Sequence, residues 1–361
     1  MLNSLQACRG VAAILVVLQH ANHGIFRLEK YFDHEPFGRL FAGAPGAIDF
    51  FYVLCGFIML HVHARDLDQP KQIGDYLWKR FSRIYLFYWL VLAIVIPIYF
   101  AVPQFGFGYE RDLDVIVRSI LLLPHPEFHM VLGVAWTLVY EVLFYLLFGL
   151  LILHKRLGIA VMAAWGCCVL AHSQFEHHPW SFLFSHHHLR FLAGMLVWLI
   201  LNRWQAPGPR LIAGLGGVVF ILTFSLEGPG GPAPNWLALV GFTGGSAVMV
   251  LGLVEAERSG LLQTPRWLAY LGDAAYSIYL VHFLVLSAFA KLVKALALDQ
   301  HLPEMPLFFL HVALAIAAGC LCHRFIEHPL HQWSRRLFSV AKPAALDSSI
   351  TSAEQAVRRA A

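Results

Sequence analysis

Long apolar runs decide what this chain can become. Ten of them, near 5–26, 43–63, 80–101, 132–153, 157–171, 183–201, 211–226, 236–254, 270–292 and 307–325, fill most of the 361 residues. A helix needs about 20 apolar residues to cross a bilayer core. Hydrophobic residues make up 58% of the chain, charged residues only 13%, and the mean hydropathy is +0.63. A soluble domain averages about 25% charged residues, so a soluble globular protein is excluded. Backbone groups in lipid must be satisfied within the segment, which leaves the helix. The expected fold is an all-α, polytopic transmembrane bundle of about ten spans. It forms one membrane-embedded domain over residues 1–338, with a short, polar, disordered tail over 339–361. The run at 113–123 is too brief to span and is expected outside as an interfacial or re-entrant piece. No convincing cleavage site follows the first run, which is read as a retained span.

Lys and Arg set the expected orientation. Ten spans put both termini on one side. The loops on that side carry Arg65, Lys71, Lys79, Arg80, Lys155, Arg156, Arg203, Arg210, Arg258 and Arg266, whereas 175–181 and 227–235 carry none. The positive-inside rule then places both termini in the cytoplasm. Arg27, Lys30 and Arg39 run against the trend, mixed with Glu29, Asp33 and Glu35. The net charge of +4 reflects this topology and does not point to nucleic acid. The six cysteines lie in apolar runs and read as small buried hydrophobes. His177, His178, His186, His187 and His188 form an external cluster without ligand spacing, so no metal is expected. His61 and His63 end the second run and are expected to be solvated.

Ionisable side chains inside the runs carry the functional signal, because such groups are expensive in lipid and usually face a bundle interior. Arg9 and His20 are eleven residues apart in the first run. At about 100° per residue they share one helix face, separated by roughly 16 Å, about half a bilayer core. With helices alternating in direction, His20, Asp49, Glu141 and His282 fall at comparable depths, an arrangement suited to acid–base chemistry. Arg80 and Arg83 lie one turn apart at the cytoplasmic face, on the side of Arg9. Three guanidiniums there suit a phosphate-bearing donor. The duller readings are positive-inside anchors for Arg80 and Arg83, a helix cap for Asp49 and a core histidine for His282.

At these residues the chain resembles the integral membrane acyltransferase family 3, and most its exopolysaccharide acetyltransferase branch. The pieces that carry the resemblance appear in family order. They are Arg9-Gly-Val-Ala-Ala with His20, Gly46-Ala-Ile-Asp49 continuing to Cys55-Gly56-Phe57, and Arg80-Phe-Ser-Arg83. Trp136-Thr-Leu-Val-Tyr140-Glu141 follows, then Asp273-Ala-Ala-Tyr276-Ser277-Ile-Tyr279-Leu-Val-His282 and Glu327-His-Pro329. One position departs: Cys55 stands where the family usually has Ser, which argues against an essential hydrogen bond there.

The resemblance implies acyl transfer, usually of acetyl, from cytoplasmic acetyl-CoA to a hydroxyl of an exopolysaccharide, O-antigen or lipid-linked saccharide. Partners from a polysaccharide-assembly machinery are consistent with that role. Arg9, Arg80 and Arg83 are expected to hold the acyl-CoA phosphates. His20 is expected to act as general base, with Glu141 or Asp49 orienting its imidazole. Trp136, Tyr140, Tyr276, Ser277, Tyr279 and His282 are expected to support the substrates. Direct transfer and a relay through an acyl-His20 both fit the residues. Two other classes compete: a proton-coupled transporter or flippase, against which no internal repeat is visible, and a haem protein ligated by His20 and His282.

Overall fold

The apolar runs fold as helices, and their charged margins decide where each begins. In the computed structural model, residues 2–171, 177–227 and 235–340 are described, and they contain no β-strand. The first part of the chain forms α1 (Asn3–Gln19), α2 (Gly46–His63), α3 (Ile73–Ala101), α4 (Leu113–Leu121), α5 (Trp136–Leu153), α6 (Lys155–Ala171) and the single turn α7 (Trp180–Leu183). The second part forms α8 (His187–Leu201), α9 (Pro209–Glu227), α10 (Asn235–Arg258), α11 (Arg266–Asp273), α12 (Ala275–Ala295), α13 (Glu304–Cys322) and α14 (His328–Val340). Two π-helical turns interrupt the series, His20–Phe26 after α1 and His323–Glu327 after α13.

The result is a polytopic helical bundle. Among the described residues eight helical stretches are long and apolar enough to cross a membrane. The two further spans expected from hydropathy are helices of 17 and 15 residues, α6 and α8. The short run at 113–123 is the separate nine-residue α4. Most of the polar tail lies outside the described residues.

Two boundaries differ from those expected. Helix α3 starts seven residues before Arg80, because Asp75 and Lys79 pair at 2.6 Å one turn apart and carry the helix through a charged margin. The run at 270–292 is broken at Ala274 into α11 and α12. Hydropathy is continuous there; the break comes from the docking of α11 on α1.

Burial sorts the helices. Tyr76, Tyr88, Phe87, Phe144, Phe148 and Phe191 are nearly inaccessible between α3, α5 and α8. Helix α9 instead leaves Leu211, Leu215, Ile221 and Leu222 exposed, as a lipid-facing surface must. Helices α2 and α8 approach one another very closely. A Cβ on Gly56 would fall 1.9 Å from the Phe191 carbonyl oxygen, and one on Gly194 would fall 1.8 Å from that of Val53. Two glycines facing opposite backbones let these helices touch, as small residues do in membrane bundles. Gly56→Ala must force the helices apart, and we expect a loss of several degrees in the thermal unfolding midpoint in detergent. Gly74→Ala, where a Cβ meets nothing within 4 Å, is expected to be neutral or slightly stabilising, since alanine is the better helix former by about 1 kcal/mol.

Candidate active site

The three guanidiniums expected to gather at one end of the bundle do so. Arg9 from α1 and Arg80 and Arg83 from α3 line a single cavity together with Cys55, Glu141 and Tyr145. The cavity encloses about 850 Å³ of empty space including its mouth, and Tyr276 and Tyr279 from α12 form part of its wall.

Each arginine is fixed differently. Arg9 Nη1 donates to Gln6 Oε1 at 2.8 Å, and Gln6 Nε2 donates to Asp273 Oδ1 at 2.7 Å. That link exists because α11 sits directly on α1: a Cβ on Gly272 would lie 1.8 Å from the Gln6 carbonyl oxygen. Arg80 Nη2 donates to His63 Nε2 at 2.8 Å, and His63 Nδ1 donates to Asp66 Oδ2 at 2.7 Å. His63 is therefore not a solvated interface residue. It is 1% exposed and passes the orienting effect of a carboxylate to Arg80. Arg83 has no hydrogen-bond partner among the described residues. Three cations facing one cavity, one with every donor free, make a strong anion-binding surface.

Glu141 faces the same cavity. Its carboxylate accepts a short hydrogen bond from the Tyr145 hydroxyl, and Cys55 Sγ lies 3.8 Å from it. Tyr276 donates to the Ile84 carbonyl at 2.7 Å, and Tyr279 to that of Val134 at 2.7 Å. Both hydroxyls are thereby anchored to backbone carbonyls in the cavity wall.

The expected partnership of His20 is corrected by the geometry. Neither Glu141 nor Asp49 holds the imidazole. Asp49 is taken by Arg190 of α8, whose Nε and Nη2 reach its two oxygens at 2.6 and 2.9 Å, an almost fully buried bidentate pair. His20 Nδ1 lies instead 2.9 Å from His282 Nε2. His282 Nδ1 is 2.6 Å from the Tyr279 carbonyl and 3.1 Å from that of Ile278. Carbonyls only accept, so His282 carries its proton on Nδ1 and presents Nε2 as an acceptor. His20 must then donate from Nδ1, which leaves its Nε2 lone pair available. The His282 ring lies 5.8 Å from that of Tyr279, and so the pair stands behind the far wall of the arginine-lined cavity.

The remaining expected residues lie elsewhere. Trp136 and Tyr140 border a second, smaller pocket with Phe128 and Phe182. Ser277 is buried and donates to Glu327 Oε2 at 2.6 Å, a link between α12 and the turn before α14. The external histidine cluster does not exist as such: His188 is fully buried and bonds the Phe182 carbonyl, while His187 packs among Tyr52, Trp136 and Tyr140. Among the described residues no three His, Cys, Asp or Glu side chains converge as metal ligands would. Arg190 was missed from the sequence, although a guanidinium between Leu189 and Phe191 inside an apolar run is the signal that singled out Arg9.

Comparison with known proteins bears on the chemistry. The family described as an acyltransferase domain matches over residues 2–324. The chain is 27% identical over 311 residues to the exopolysaccharide production protein ExoZ of Rhizobium meliloti (strain 1021), covering 82% of this chain and 92% of that one. It is 27% identical over 323 residues to the acyltransferase MdmB of Streptomyces mycarofaciens, covering 78% of this chain and 80% of that one. Protein 2 in the picA locus of Rhizobium radiobacter matches at 30% over 174 residues, 45% of this chain and 81% of its own. No solved structure gives a significant match. With the family match extending over nearly the whole bundle, this chain belongs to the acyltransferase-3 family and is an acyl-transferring enzyme of the membrane.

Proposed function

We propose that this enzyme moves an acyl group, acetyl in the first instance, from acyl-CoA to a hydroxyl of an exopolysaccharide, O-antigen or lipid-linked saccharide. Residues Arg9, Arg80 and Arg83 bind the donor and His20 acts as general base. The observation that carries this reading is the hydrogen-bond order at His20, with its Nε2 lone pair free. In this reading the CoA phosphates sit on the three guanidiniums. The slender pantetheine arm runs through the cavity towards His20. The acceptor hydroxyl gives its proton to His20 Nε2 while its oxygen attacks the thioester carbon. The C–S bond breaks, and the leaving CoA thiolate takes that proton back from His20, which restores the neutral base.

His282 takes the place that a carboxylate holds in the familiar triads. It is neutral, but with two backbone carbonyls on Nδ1 its Nε2 is polarised to accept the His20 proton and to steady the imidazolium. Glu141 and Tyr145 form a polar pair in the donor cavity, placed to hold the thioester end rather than the base. The enzyme sits in the inner membrane with its termini and donor mouth in the cytoplasm. The family match and the name of the Rhizobium meliloti relative support the saccharide, and the positive-inside distribution supports the orientation.

Four measurements test this. In membranes supplied with labelled acetyl-CoA, His20→Ala should abolish labelling of carbohydrate while the protein remains inserted. General base catalysis is typically worth about 10²–10⁴-fold, and turnover retained at the wild-type rate would remove His20 from that role. His282→Ala should lower kcat by about 10- to 10⁴-fold, the upper figure being typical of a base held in the wrong tautomer, with KM for the donor unchanged. Arg83→Ala should do the reverse, raising donor KM about 10- to 100-fold, as expected for a lost charge-assisted hydrogen bond. Loss of Cys55 alkylation in the presence of CoA would locate the donor arm directly, since Cys55 lines that cavity.

A further inference from the structure

The cations that run against the charge distribution have no part in the donor cavity. Lys30 lies over the Tyr31 and Phe107 rings. Arg27 and Arg39 instead face a second cavity of about 1000 Å³ including its mouth, with Gln19, His23, Glu35 and Ala42. Arg9 and His23 are 14 residues apart on one helical stretch, so this cavity opens roughly 20 Å from the donor arginines at 1.5 Å per residue.

Its internal contacts leave both charge and hydrogen-bonding capacity unspent. Glu35 Oε1 lies 2.9 Å from His23 Nδ1 and 3.6 Å from Arg27 Nε. Arg39 Nη2 donates to the Glu227 carbonyl at 3.3 Å. Two guanidiniums therefore border the cavity against one carboxylate, which Arg27 alone approaches, and Arg27 is 69% exposed in its side chain. His23 Nδ1 lies beside Glu35, and its Nε2 is buried and has no hydrogen-bond partner. A buried ring nitrogen without a partner is costly, and a ligand hydroxyl, which can donate or accept, would relieve it. Surplus positive charge beside an unsatisfied ring nitrogen complements a ligand that carries both an anion and hydroxyls.

We propose that this cavity is an acceptor subsite selective for an anionic saccharide. Arg27 and Arg39 hold its carboxylate or phosphate, and His23 Nε2 is the ring nitrogen that one of its hydroxyls meets. The proposal rests on the acyl-transfer reading above, and it names the substrate class on the acceptor side. Gln19 and His23 flank His20 along the chain, which puts this cavity on the same helical stretch as the base. The anion has two sources, a carboxylate on the sugar or the diphosphate of a lipid carrier.

The test uses the full-length protein in nanodiscs and calorimetric titration. A trisaccharide ending in glucuronate is expected to bind at least about tenfold tighter than the same trisaccharide with its carboxyl reduced to an alcohol. The double variant Arg27→Gln/Arg39→Gln should erase that preference, while Arg27→Lys/Arg39→Lys should retain it. Equal affinity for the two trisaccharides in the wild type, or a preference that survives in the Gln variant, overturns the subsite. Inorganic pyrophosphate competing better than free glucuronate assigns the anion to a carrier diphosphate; the opposite ranking assigns it to the sugar. Acetyl-CoA titrated into the same samples separates the two readings. Absent CoA binding overturns the donor assignment whatever the sugars do, whereas CoA binding without anion preference overturns the subsite alone.

Discussion

A polar side chain within a bilayer has no water to fall back on, so its partner must be built into the protein. This one constraint accounts for the arrangement of most ionisable groups in the bundle. Asp49 and Arg190 neutralise each other across α2 and α8, with one hydrogen bond from Nη2 and Nε close by at 2.6 Å. Glu327 is enclosed by Ser277, His323 and His331. At two of the places where partners are incomplete, a cavity is present. Arg83 opens onto one cavity, and His23 borders another with its Nε2 unsatisfied. In a membrane protein the accounting of polar partners therefore doubles as a search for ligand sites.

Histidine does the fixing in two places by one device. At Arg80 a carboxylate sets the His63 tautomer, and the free ring nitrogen receives the guanidinium. At His20 backbone carbonyls set the His282 tautomer, and its free nitrogen receives the neighbouring ring. An imidazole with one nitrogen committed becomes a directional acceptor on the other. It can orient a group without adding a second charge, which matters where each uncompensated charge is expensive.

The gathering of the arginines was legible in the sequence and the choice of partners was not. Hydropathy located the long helices, and counting along them placed Arg9, Arg80 and Arg83 where they could converge, whereas Glu141, grouped by its position with His20, lines the arginine cavity instead. Partner identity depends on which faces of neighbouring helices meet, and that is decided by contacts such as Gly56 against Phe191, which leave no periodic trace. Hence Asp49 was legible as a buried carboxylate, but its pairing with Arg190 was not. The division of the 270–292 run has the same origin: Gly272 and Asp273 meet α1, a tertiary demand placed on a stretch whose hydropathy is uniform. Short helices such as α6 and α8 sit at the margin of any length criterion, so their existence was readable while their extent was not.

The π-helical turn at His20–Phe26 gives the first span a change of phase. Up to Gln19 the helix keeps step with Arg9; beyond it, each wider ring holds an extra residue and the succession of side chains is re-timed. Gly24 comes round beneath the His20 ring and against Phe283, where a Cβ would meet that ring at 3.1 Å, while Gln19 and His23 turn towards another cavity. A single span thereby borders two cavities, with Arg9 on one and Gln19 and His23 on the other. The imidazole sits at the hinge of that phase change, between the residues that face the two.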